Sequence, residues 1–215
     1  MNITKLISHT LLLLKSRAFL LLFASLLVIS FSVAYVASEP RQHERFLSIS
    51  TLDKNLMSDD YYPRANSTIK VNDRVKWHLD IHNRMGSVEY LSVRVKLLNS
   101  TQAAPGDTLH VPSRGDPIIE LRQALMNNST WIVPLKWSIT EIDEMQDHVV
   151  IRSLSINDKL VDDLNVRSVG GKNFRMVIEL WRYDIESGDF VFTWSSGIDK
   201  RIVWNQIWFN IKSSI

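Results

Sequence analysis

Two patterns of polarity divide the chain. Residues 18–37, AFLLLFASLLVISFSVAYVA, are apolar except for Ser25, Ser30 and Ser32 and carry no charge. A helix of that length rises about 30 Å, the thickness of a bilayer's hydrocarbon core, and it leaves no polar face for a soluble domain to turn to water. The run predicts a transmembrane helix. Beyond residue 44 the period changes to two. Val75, Trp77, Leu79 and Ile81 alternate with Arg74, Lys76, His78, Asp80 and His82, and Leu91, Val93, Val95 and Leu97 alternate with Ser92, Arg94 and Lys96. Such alternation predicts strands with one face on a core, and the short connection at 83–87 suggests that these two form an antiparallel pair.

Further strands are expected over 45–52, 149–156, 174–183, 190–194 and 202–211. Another places Trp131, Val133, Leu135, Trp137 and Ile139 on one face, with Pro134 arguing for an edge or a bulge. Residues 118–126 admit a helix starting at Asp116-Pro117 or a strand, and the alternation of Ile119, Leu121 and Leu125 favours the strand. The loop 99–117 is expected to cross between sheets, acidic 141–147 to form a loop or one helical turn, and Glu186-Ser187-Gly188-Asp189 to turn a hairpin. Eight or nine short strands separated by turns predict an all-β fold, an antiparallel immunoglobulin-like β-sandwich preceded by one transmembrane helix. The expected organisation is a cytoplasmic tail at 1–17, the span at 18–37, a tether at 38–44 and a sandwich domain at 45–215.

Orientation follows from the flanks. The first seventeen residues carry Lys5, Lys15 and Arg17 and no acid, whereas the other flank mixes Glu39, Arg41, Glu44, Arg45, Asp53 and Lys54. This favours a cytoplasmic N-terminus and an extracytoplasmic domain in the cell membrane. Ser32-Val33-Ala34 also offers small residues of the kind a signal peptidase cuts, so a cleaved signal peptide is the competing reading; the apolar run outlasts an ordinary signal core and favours a retained anchor. The chain has no cysteine, which excludes disulfides, thiolate metal sites and cysteine nucleophiles. Its net charge of +2 is spread along the strands, without the basic footprint that nucleic acid requires.

Four sequons, at Asn66, Asn99, Asn127 and Asn128, fall in expected turns and mark candidate glycosylation sites. Taken together, His82-Asn83-Arg84-Met85-Gly86, Val95-Lys96-Leu97-Leu98-Asn99-Ser100-Thr101, Asn128-Ser129-Thr130-Trp131, Trp137-Ser138-Ile139, Phe174-Arg175-Met176-Val177, Glu179-Leu180-Trp181 and Trp204-Asn205-Gln206-Ile207-Trp208 make a set. In these segments the chain resembles a family of archaeal single-pass membrane proteins known only as a domain of unknown function. The resemblance implies an archaeal envelope protein and supplies no active-site residues.

Candidate chemistry is sparse. His78, Asp80 and His82 point the same way from one strand, but the two histidines lie roughly 13 Å apart at their backbones, so one ion would need Asp80, one of them and ligands from neighbouring strands. A solvent-facing role is the simpler account. Glu141, Asp143, Glu144 and Asp147 are oxygen-rich but lack the order of a calcium loop. No hydrolase, zinc-protease, phosphate-loop or dinucleotide motif occurs, and no cofactor is expected. On the last strand Trp204, Gln206, Trp208 and Asn210 share one face and Val203, Ile207, Phe209 and Ile211 the other. With the second set in the core, two indoles flanked by amides face outward, which suits a protein partner or a glycan unless the rings pack under a loop. A non-catalytic, membrane-anchored module that binds a protein partner is the first expectation, a glycan-binding module the second, and a hydrolase with an unrecognised site the third.

Overall fold

The structure, a computed structural model, describes residues 3–38, 44–196 and 199–212. It forms two compact units, 1–43 and 44–215. The described residues of the first form a single helix, α1 (Ile3–Ser38), so most of the expected tail at 1–17 is helical as well. Within it Ser16–Ser38 is long and apolar enough to cross a membrane, with a mean hydropathy of 2.5. Three of its serines bond back to the helix: Ser25 donates to the Leu22 carbonyl, Ser32 to that of Val28 and Ser38 to that of Tyr35, each at 2.8 Å. A hydroxyl bonded back to its own helix is tolerable in hydrocarbon, where no water would satisfy it. Most of the expected tether lies outside the described residues.

The second unit is a β-sandwich. Its strands are β1 (Leu47–Leu52), β2 (Thr68–Ile69), β3 (Val75–Asn83), β4 (Glu89–Asn99), β5 (Ile119–Leu125), β6 (Thr130–Glu144), β7 (His148–Ile156), β8 (Lys159–Val161), β9 (Val166–Val169), β10 (Phe174–Asp184), β11 (Asp189–Val191), β12 (Trp194–Ser196), β13 (Asp199–Arg201) and β14 (Val203–Ile211). One sheet runs β1-β3-β6-β7-β8, with β9 also on β7; the other runs β2-β14-β10-β4-β5, with β11 on β10; β12 and β13 form a separate hairpin. The order β14-β10-β4-β5 matches the G, F, C and C′ strands of a variable-type immunoglobulin sandwich. In the first sheet β6 rather than β7 lies beside β3, so the hairpin that fills the D and E places is laid down in reverse order. Among the described residues, pairing is antiparallel except where β2 joins β14.

Several sequence expectations change here. β3 and β4 are not paired: β3 lies between β1 and β6, β4 between β10 and β5. Alternation assigns a strand's apolar face without naming its neighbour, and the two faces meet across the core rather than side by side. The loop after β4 returns to the same sheet, since β5 pairs with β4; the chain passes to the other sheet after β5. Residues 118–126 do form a strand. Pro134 sits on an interior strand, yet β6 pairs with β7 only from Trp137 onward, so the missing N–H falls where β6 is locally an edge. Glu141 to Glu144 extend β6 through a bulge instead of forming a loop. The stretch 190–194 divides between β11 and β12.

The core is organised by rings. Trp77 and Trp137 of the first sheet meet edge to face at 5.2 Å, Trp137 meets Phe209 of the second at 5.2 Å, and Phe209 stacks on Phe174 at 5.7 Å. Trp77 is fully buried and donates its indole N–H to the Tyr61 carbonyl at 2.6 Å. A residue with a side chain would not fit at Gly171, which has φ +68° and where a Cβ would lie 2.7 Å from the Ile211 carbonyl oxygen. The free edge of β14 is dressed by local groups. The Gln206 N–H donates to Asn205 Oδ1 and the Tyr62 hydroxyl to the Trp208 carbonyl, both at 2.7 Å, and the Asn210 N–H donates to the Ser67 carbonyl at 2.8 Å. Burial pushes the Tyr62 phenol up, which keeps that donor protonated.

Replacing Trp77 by Ala removes a ring that two others pack against, and the expected loss is about 3–5 kcal/mol. Lys76→Ala, one position away and exposed, is expected to change stability by under about 0.5 kcal/mol. Chemical-denaturant midpoints of the two variants check this difference.

Candidate functional site

The outward tryptophans of the last strand lie on the outer face of the second sheet, and the register extends that face across four strands. Trp204 stands opposite Glu179, which stands opposite Arg94, which stands opposite Glu120; Trp208 stands opposite Arg175, and Trp181 opposite Ser92. Polar and aromatic side chains thus share a surface whose reverse side is the core.

Its centre is closed. Glu179 is 0% exposed, in the middle of the apolar run of β10. One oxygen accepts from the Ser113 N–H at 2.8 Å and the Ser113 hydroxyl at 2.5 Å, and the other accepts from the Trp181 indole at 3.1 Å. Lys96 Nζ, also buried, lies 3.1 Å from Glu179 and donates to the Ser113 carbonyl at 2.7 Å. The carboxylate and ammonium therefore hold the loop between β4 and β5 down on the sheet. Arg94 stacks on Trp181 at 3.9 Å and pairs with Glu120 at 3.4 Å. Burial alone would raise the pKa of Glu120, but hydrogen bonds from Arg122 and Ser92 and the charge of Arg94 outweigh it and hold the group at about 2.

The four residues singled out on β14 fare differently. Trp204 is half-buried and gives its indole N–H to Asp107 of the covering loop at 2.9 Å. Gln206 accepts from Arg175 at 2.8 Å, and Asn210 accepts from the Asn173 N–H at 2.9 Å. Trp208 remains 39% exposed, with the Arg175 guanidinium 4.7 Å from its ring centre. Of the outward pair, one ring is packed under the loop and the other is open to solvent. Arg175 completes this corner, and its sequence signal is an arginine inside an apolar strand.

The other candidates are more dispersed. His78 contacts the Asp53 carbonyl at 2.9 Å, while His82 bridges Asp80 at 3.0 Å and Thr130 at 2.9 Å. Each imidazole is engaged with protein, and among the described residues no group of three or more metal-ligating side chains converges. Glu141 and Asp143 border a polar hollow of about 470 Å³ together with Arg152, Asp162, Asp163 and Leu164, and Arg152 pairs with Asp143 at 2.5 Å. Asn66, Asn127 and Asn128 are exposed. Asn99 departs from the expected accessible sequon, because it is nearly buried and its amide donates to the Arg167 carbonyl at 2.8 Å. A glycan there would break that bond.

Removing one partner of the buried pair by Lys96→Met leaves Glu179 without its cation, and the expected loss is about 3–5 kcal/mol; Lys96→Met combined with Glu179→Leu is expected to recover most of it. Thermal and denaturant unfolding of the single and double variants check the coupling. Glu120 supplies a pH signature. Because its folded pKa is depressed, its stabilisation is present above the ordinary carboxyl value and lost as pH falls from about 4.5 towards about 2. Wild type is therefore expected to lose more stability than Glu120→Gln between about pH 6 and about pH 3, measured by denaturant midpoints.

No family model and no curated protein matches the chain. Among solved structures it is similar to the CARDB domain of a Pyrococcus furiosus protein, determined in complex with di-metal ions. The identity is 9%, the match covers 81% of this chain and 95% of that one, and the TM-score is 0.38. The sandwich is established by this chain's own strand pairing, with one apolar helix before it.

Proposed function

We propose that the chain is a non-catalytic, membrane-anchored surface module that binds a protein partner through the outer face of its second sheet. In this reading α1 is a retained anchor with its N-terminus in the cytoplasm, and the sandwich lies outside the membrane in an archaeal envelope. The partner is a neighbouring envelope protein or a subunit of a membrane complex. The observation that carries the reading is Trp208. It stands 39% exposed on a sheet face where the neighbouring rings are tied down, backed by Arg175 and flanked by the amides of Gln206 and Asn210. Tryptophan, with tyrosine and arginine, is among the residue types most enriched at interface hot spots.

Crosslinking in intact membranes tests it. Wild type is expected to yield one stoichiometric protein adduct. Trp208→Ser is expected to weaken capture roughly 30-fold, the equivalent of about 2 kcal/mol, while lowering the melting temperature by only a few degrees. Undiminished capture by Trp208→Ser overturns the assignment of this face. Retention of polysaccharide alone replaces the protein partner by a glycan.

A further inference from the structure

We infer that the partner meets this face with a carboxylate, an Asp or Glu side chain laid against the Trp208 ring and received by Arg175. The inference rests on the protein-partner reading above and names its chemistry. Arg175 is 5% exposed, opposite Trp208 across the β10–β14 ladder. One terminal nitrogen donates to Gln206 Oε1 at 2.8 Å and the other donates to the Gln102 carbonyl, while Nε is buried without a hydrogen-bond partner. Both acceptors are neutral amides. Among the described residues the guanidinium forms no ion pair.

Other buried charges of this sheet are matched. Glu179 has Lys96, and buried Glu89 has Arg182. The acids on the same face are already engaged, Glu179 with Lys96 and Ser113, Asp107 with Trp204, and Glu120 with Arg94 and Arg122. Burial pushes the Arg175 guanidinium below its ordinary value, with no acid acting to raise it. A cation removed from water without a counter-ion is unfavourable, and stacking on an indole offsets only part of that cost. The planar fork of an arginine matches a carboxylate in charge and shape, and the exposed ring, whose centre lies 4.7 Å from the guanidinium carbon, is the place where a carboxylate can stand close to that unanswered charge. A neutral side chain at the same place leaves the charge unanswered, and a cationic one adds repulsion.

The test uses the full chain in detergent micelles, labelled with ¹⁵N at arginine and tryptophan, and titrated with N-acetyl-glutamate amide, N-acetyl-glutamine amide and oligogalacturonate. Saturable shifts of the Arg175 Nε and Trp208 indole signals with the glutamate probe are expected, at least tenfold weaker with the glutamine probe and lost in Arg175→Gln. If Arg175→Gln does not fold, the titrations of the unmodified chain decide. No response to the glutamate probe, or an equal response to the glutamine probe, overturns the inference. A response to oligogalacturonate alone overturns the protein source in favour of an acidic glycan. Partner capture that depends on Trp208 without a carboxylate response removes this inference and leaves the binding face standing. A carboxylate response without any partner adduct supports the anion chemistry and counts against the partner reading alone.

Discussion

The contact between Trp137 and Phe209 joins one sheet to the other at 5.2 Å, and Trp77 and Phe174 extend it on either side. Once these rings are buried between the sheets, the inward side of every central strand is spoken for. β10 is central in its sheet, so Arg175 and Glu179 are turned away from the core, onto a face that would otherwise meet water. The remaining architecture answers that placement. The loop between β4 and β5 folds back over the sheet, and Ser113 brings backbone and hydroxyl donors to the carboxylate that Lys96 neutralises. A buried ion pair of this kind adds little net stability over a well-packed apolar pair, so its effect lies in fixing where the loop rests.

That fixing gives the face unequal parts. Where the loop lies, Asp107 takes the Trp204 indole and Trp181 donates to Glu179, and both rings serve the fold. Nearer the loop's start Arg175 donates to the Gln102 carbonyl but lacks the acid its neighbours have, and Trp208 beside it is open. Two positions that look equivalent along β14 are thus separated by a segment about a hundred residues earlier in the chain.

This separation marks where the sequence stops being legible. Period-two alternation identifies β3, β4, β6 and β14 and gives the right face of each, because the burial of Val75, Trp77, Leu79 and Ile81 is a local property of the strand. It does not place β3 and β4 in opposite sheets, since facing across a core and lying side by side produce the same alternation. The site is read in part for the same reason. The outward direction of Trp204 and Trp208 follows from their spacing, whereas the cover over Trp204 depends on Asp107, and the loss of the Asn99 amide to the Arg167 carbonyl depends on β9. Arg175 is visible as a charge in an apolar run. Its lack of a counter-ion is visible only when the neighbours are in place.

The groups that dress the free side of β14 bear on how copies of the chain behave towards one another. An uncapped strand at the rim of a sheet is a template, and where copies are crowded such templates find each other and propagate into aggregates. Here Asn205, Tyr62 and Ser67 occupy backbone groups along that rim, and the opposite rim, β5, carries Glu120 and Arg122. Edge-to-edge growth of this sheet is discouraged at both of its rims.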